Sequence, residues 1–362
     1  MNNEEWVGKD NWLTSTTPCF WAGITCADGH VSEINLGLNG LTGELPPEIG
    51  DLSHLTRLDL TDNKLRKVPA EIGNLTSLED LNLAFNNLNS LPSEIGNINS
   101  LRSLILSGNY LTSLPDISKL TNLTSLSLIE NDLSEVPAGI GNLEKLTVLG
   151  LGFNKLRSLP PELGDLTNLT ELYLQDNHLS SLPEISRLTN LITLDIAENE
   201  LSQMPVGIGN LTKLNWLFLT ENNLDNLPRE IGNLTSLKEL YVGGNNLSSL
   251  PPEIGKLVNL NQLSLTNNNL SSLPPEIGNL TDLTLLYLPG NQLSELPPEI
   301  GHLTNLVALS LSRNNLSSLP PEIANLTNLA ELWLDGNNLT SLPPELCVIF
   351  KGKVFPPSLC PS

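Results

Sequence analysis

The chain of 362 residues has no cysteine between Cys26 and Cys347, and Trp, Tyr and Phe together make up only 4% of it. It is also short of positive charge, with 18 Lys+Arg against 40 Asp+Glu and a formal net charge of -22. Neutralising phosphate takes clustered Lys and Arg, so nucleic acid is excluded as the expected partner, and anionic membrane surfaces with it. Apolar runs are a few residues long, against the roughly 20 that a bilayer-spanning helix needs, and no membrane insertion is expected. The four histidines, His30, His54, His178 and His302, are scattered, and neither cysteine pair has C-x2-C spacing, so no metal site is expected. The sequence contains no G-x-S-x-G, no H-E-x-x-H, no G-x-x-x-x-G-K-[ST] and no G-x-G-x-x-G after a strand. The expectation is a protein with neither catalytic residues nor a cofactor.

The cysteines sit only near the two ends, Cys19 with Cys26 and Cys347 with Cys360. Two local disulfides closing the ends fit this distribution, and disulfides belong to an oxidising compartment. The opening MNNEEWVGKD has no apolar core of a secretory signal. Either Met1 is not the natural start of an extracellular or cell-surface protein, or the protein is cytoplasmic.

What the sequence has in abundance is leucine at fixed intervals. An Asn closes each L-x-x-L-x-L-x-x stretch, at Asn39, Asn63, Asn86, Asn109, Asn131, Asn154, Asn177, Asn199, Asn222, Asn245, Asn268, Asn291, Asn314 and Asn337, spaced 24 and then 22 or 23 residues apart. Such a period marks stacked units that bury their apolar edges only against their neighbours, so 362 residues need not split into separate cores. In the stretch from Leu260 to Leu283, Leu260, Leu263 and Leu265 have the spacing of a short strand, and the Asn268 amide is placed to bond the backbone of a neighbouring turn. Pro274 and Pro275 then fix φ, and Glu276 and Ile277 open a helical turn ended by Gly278. Two units are one residue short, Leu114 to Leu120 and Leu182 to Leu188, both in this helical segment. These features predict an α/β solenoid: a curved, right-handed horseshoe with a parallel β-sheet on its concave face and short helical or 3-10 turns on its convex face. Residues 31–342 form its fourteen repeats, with an N-terminal cap at 1–30 and a C-terminal cap at 343–362.

The fourteen matches resemble the leucine-rich-repeat signature. The string Pro18-Cys19-Phe20-Trp21-Ala22-Gly23-Ile24-Thr25-Cys26, with Trp12 before it and Leu41-Thr42-Gly43-Glu44-Leu45-Pro46 after it, resembles the amino-terminal cap of plant and microbial extracellular leucine-rich-repeat proteins, including receptor-kinase ectodomains and polygalacturonase inhibitors. That resemblance implies a Cys19–Cys26 disulfide, with Trp12 and Trp21 packed over the end of the core, and an extracellular setting. The later 23-residue L-P-x-E-I-G-N-L units resemble the intracellular Ras-group-related repeat proteins, which implies a cytoplasmic scaffold instead. Eleven N-x-[ST] sequons suit a secreted glycoprotein, although the repeat consensus itself generates them.

The concave face carries the candidate site. Its central strand position holds Tyr173, Asp195, Phe218, Tyr241, Tyr287 and Trp333, and adjacent positions add Phe85, Phe153 and Trp216. A core of leucine needs no aromatics on its water side, whereas Tyr and Trp are enriched at interface hot spots. Phe153, Tyr173, Asp195, Trp216, Phe218, Glu239, Tyr241, Tyr287 and Trp333 are therefore the expected partner-binding residues. Their partner is expected to be a protein or peptide, and the acidic neighbours suit a basic one. Stacked rings also suit a glycan, and the regular threonine column of the convex side suits an ice surface.

Overall fold

A computed structural model describes Trp12, residues 17–349 and Val354–Phe355. By internal contacts the chain divides into two compact units, Met1–His178 and Leu179–Ser362.

In the first unit Ile24–Ala27 pairs antiparallel with His30–Asn35, and parallel strands follow at Arg57–Asp59, Asp80–Asn82, Ser103–Ile105, Ser125–Ser127, Val148–Gly150 and Glu171–Tyr173. The second unit stacks Thr193–Asp195, Trp216–Phe218, Glu239–Tyr241, Gln262–Ser264, Leu285–Tyr287, Ala308–Ser310, Glu331–Trp333 and Val354–Phe355, all parallel. Most of the strands are three residues long, with a buried leucine flanked by two half-exposed side chains, as the period-2 geometry of a one-sided sheet requires. Within a coil, Leu260, Leu263, Leu265, Leu270, Ile277, Leu280 and Leu283 are wholly buried. At roughly 1.5–3 kcal/mol for each buried Leu or Ile side chain, this spine is the main stabilising term.

The Asn ladder takes the expected form. Asn268 Nδ2 donates to the carbonyls of Val242 in the preceding coil (2.9 Å) and of Leu265 in its own (3.1 Å), while its Oδ1 accepts from Leu247 N (3.0 Å). From Asn63 to Asn337, the ladder residues thus satisfy backbone groups of two coils at once.

Opposite the sheet, the P-E-I-G-N segments form 3-10 turns such as Pro275–Asn279 and Pro298–His302. Successive turns stack so closely that a Cβ on Gly278 would lie 2.5 Å from the Glu299 carbonyl oxygen. The position is relaxed to alanine at Ala324, whose following neighbour is the α-helix Pro344–Ile349 and not another 3-10 turn.

The shortened unit around Asp116 lacks a 3-10 turn, and the strands on either side keep their register, Ser103 opposite Ser125 and Ser125 opposite Val148. Asp116 and Ser118 fill the space into which a side chain at Gly139 would point; in the second unit Glu184 and Ser186 do the same at Gly207. This explains why the unit after each short one reads A-G-I-G or V-G-I-G where the others carry glutamate.

In the N-terminal segment Cys19 and Cys26 form a disulfide with Cα atoms 5.5 Å apart. Trp12 and Trp21 pack ring to ring at 4.7 Å, and Trp12 Nε1 donates to the Ala22 carbonyl (2.9 Å). The second expected pair lies outside the described residues, which omit the Cys347 side chain and all of Cys360.

Candidate functional site

Because the core is filled from one side of the sheet, alternate strand residues are left to solvent and fall into rows, one residue per coil. In the second unit one row reads Asp195, Phe218, Tyr241, Ser264, Tyr287, Ser310 and Trp333, each in register with the next. The row beside it begins Thr193, Trp216, Glu239, Gln262 and Leu285. Five expected residues, Asp195, Trp216, Phe218, Glu239 and Tyr241, therefore meet on three neighbouring strands.

Their contacts are specific. The Phe218 and Tyr241 rings stack with centroids 5.2 Å apart and planes inclined by 10°. Trp216 Nε1 donates to Glu239 Oε1 (3.3 Å), and the Tyr241 hydroxyl donates to Glu239 Oε2 (3.0 Å). The same hydroxyl lies 2.6 Å from Gln262 Oε1. One proton cannot serve both oxygens, so the Gln262 amide turned to present its NH2 completes the network. Burial, then the hydrogen bond and negative charge of Glu239, push the Tyr241 phenol up to about 12. Burial also raises the Asp195 carboxyl above the usual carboxylate range; the Ala197 N–H (3.1 Å) opposes this and the like charge of Glu198 adds to it.

Farther along the row, Tyr287 and Trp333 stand two strands apart, roughly 9–10 Å, on either side of the small, buried Ser310. They wall a depression of about 460 Å³ with Arg313 and Asp335 at its edge, where Ser312 Oγ donates to Asp335 Oδ1 (2.5 Å).

Phe153 and Tyr173 belong to the first unit. The Tyr173 hydroxyl donates to Glu171 Oε2 (2.8 Å). Phe153, like Phe85, sits in the turn leaving the strand, with φ near +55° and an exposed ring, and is not on a strand residue.

Sequence reasoning missed Gln262, which has no aromatic or charged character to mark it, and the part played by the serines between the rings. The missed signal was the alternation of large and small residues along the row.

The fold agrees with that of solved proteins which the chain resembles. A model described as leucine-rich repeat region matches residues 35–111, 163–249 and 249–347, and a leucine rich repeat model matches 121–179. The solved leucine-rich-repeat protein of Leptospira interrogans is 40% identical, with a TM-score of 0.81 over 87% of this chain and 81% of that one. The ectodomain of the Arabidopsis receptor kinase HAESA, solved with a peptide hormone ligand, is 30% identical, with a TM-score of 0.76 over 97% of this chain and 62% of that one. Receptor-like protein 3 of Arabidopsis thaliana is 40% identical over 62 residues, which is 16% of this chain and only 8% of that protein. With the family match extending over more than half of its length, the chain belongs to the leucine-rich-repeat family.

Proposed function

We propose that this chain is a non-enzymatic recognition module that binds a protein or peptide across the solvent-facing surface of its sheet. In the second unit Trp216, Phe218, Tyr241, Tyr287 and Trp333 form the contact surface, with Asp195 and Glu239 biasing it toward a basic partner; Phe153 and Tyr173 serve the first unit. The carrying observation is that the five rings of the second unit stand half-exposed on in-register strands over a core that leucine already fills. Rings in that position give up packing in the free protein and recover it only against a partner.

Further support comes from similar proteins solved in complexes, the plant peptide hormone receptor RGFR1 with RGF2 and HAESA with a peptide hormone ligand. The Cys19–Cys26 disulfide and the receptor-like relatives favour an extracellular placement over a cytoplasmic scaffold.

The test is a displayed library of twelve-residue peptides panned against the chain. Enriched peptides should lose at least tenfold in affinity for the Trp216→Ala/Tyr241→Ala variant and bind Glu276→Ala, on the opposite side, unchanged. Peptides indifferent to the double variant would refute this surface.

A further inference from the structure

Phe218 and Tyr241 lie on adjacent strands, and their 5.2 Å centroid separation is close to the ~4.8 Å spacing of strands. The rings are therefore stacked along the direction that runs from strand to strand. One face of Phe218 is covered by Tyr241, and the other is turned toward the strand Thr193–Asp195, where Asp195 is its register partner.

Asp195 is half-buried, and its Oδ1 accepts from Ala197 N. Among the described residues its second oxygen has no hydrogen-bond partner, and none of Asp195, Glu198, Glu221 and Glu239 makes an ion pair. The ion pairs Lys67–Glu44, Arg102–Glu79 and Lys155–Asp132 involve none of these four carboxylates. Glu198 belongs to the same coil as Asp195 and is near enough to raise its carboxyl by like charge. An aromatic face thus adjoins a carboxylate that has been partly stripped of water and left without a counter-charge, a combination that is unfavourable in the free protein.

A cation resolves it. Guanidinium is planar, weakly hydrated, stacks on aromatic faces and offers a fork of N–H donors to a carboxylate, whereas an ammonium is a compact and strongly hydrated point charge. We propose that the free face of Phe218, together with Asp195 and Glu198, is a seat for the guanidinium of an arginine side chain carried by the partner. The seat rests on the reading of this sheet surface as the recognition face and adds to it the chemistry of one anchor residue. The Trp216–Glu239–Tyr241 network behind it holds the ring stack in place.

The experiment titrates the full chain with acetyl-Gly-Arg-Gly-amide and with its citrulline and lysine counterparts, following saturation transfer from protein to the peptide side chain by NMR. Citrulline keeps the shape of arginine and removes the charge. The citrulline peptide should bind at least tenfold more weakly than the arginine peptide, and the lysine peptide at least threefold more weakly. Phe218→Leu and Asp195→Asn should each weaken the arginine peptide five- to tenfold, while Asp335→Asn, which changes the net charge by the same amount, should leave it unaltered. Asparagine at 195 retains an acceptor for Ala197 N, so the backbone there is preserved.

Citrulline or lysine peptides as tight as arginine, or a site variant as tight as the parent, would overturn the seat. Library-selected peptides that depend on Trp216 and Tyr241 yet tolerate citrulline would overturn it too, while leaving the recognition surface intact. An arginine peptide that needs Phe218 and Asp195 supports the seat even if no selected peptide depends on Trp216.

Discussion

The Phe85 ring lies directly over the α-carbon of Gly108, one coil further along, so that a Cβ on Gly108 would overlap the ring at Cδ1. Both residues have left-handed backbone, φ +53° for Phe85 and +66° for Gly108. The same relation recurs in the second unit, where Glu221 lies over Gly244 and Asn267 over Gly290.

Gly108→Ala should therefore carry two costs, about 1 kcal/mol for an L-residue in the left-handed region and a similar amount for displacing the ring. Adding Phe85→Ala should recover the second part and leave the first. Chemical denaturation of the two single variants and the double variant measures the coupling, and simple additivity would argue against ring contact.

Gly278→Ala should destabilise by about 1–3 kcal/mol, because its Cβ meets the Glu299 carbonyl oxygen and a backbone atom cannot turn aside as a side chain does. Alanine already occupies the equivalent place at Ala324, so Ala324→Gly should give no gain in melting temperature.

Asn268→Ala removes three hydrogen bonds of 2.9–3.1 Å to buried backbone groups and leaves Leu247 N, Val242 O and Leu265 O without those partners. A loss of about 2–4 kcal/mol is expected, read from the denaturation midpoint. Asn261→Ala, a half-exposed site whose Nδ2 makes only a single 3.2 Å bond to the Asp282 carbonyl, should change stability by less than about 0.5 kcal/mol.

Two raised acids both lose stability as pH rises, each in its own window. Asp195 in the folded chain holds its proton above the ordinary value, so ionising it opposes folding; stability gained by its protonation is present at low pH and lost as pH rises through the raised value. Asp195→Asn should then melt higher than the parent at pH 7, with the difference vanishing near pH 3. Tyr241, at about 12, contributes stability below the phenol's usual 10 that is lost as pH climbs toward 12. In an absorbance titration of the tyrosines, the phase near pH 12 should lose amplitude in Tyr241→Phe.

Much of this was readable from the order of residues. Leu263, Leu265 and Asn268 recur with a period that permits only one register, and Pro274-Pro275-Glu276-Ile277-Gly278-Asn279 spells its own turn. The Cys19–Cys26 bond followed from a resemblance, and the structure contains it. The tie of Gln262 to Tyr241, the unpaired Asp195 oxygen and the placement of Phe85 over Gly108 depend on side chains 21 to 23 residues apart meeting within a few tenths of an ångström. Periodicity fixes which residues share a row, but not the rotamers they adopt there.

The asparagine series has a direction. Leu270 N is received by Asn291, Leu293 N by Asn314 and Leu316 N by Asn337, each a donor in one coil answered by the coil after it. Among the described residues Leu339, next in that succession, has no such acceptor, and Asn337 is less buried than the ladder residues before it. Unravelling should accordingly be lopsided, with amide exchange spreading backward from the coil of Trp333 toward earlier coils, so that the aromatic row loosens at Trp333 well before it does at Phe218.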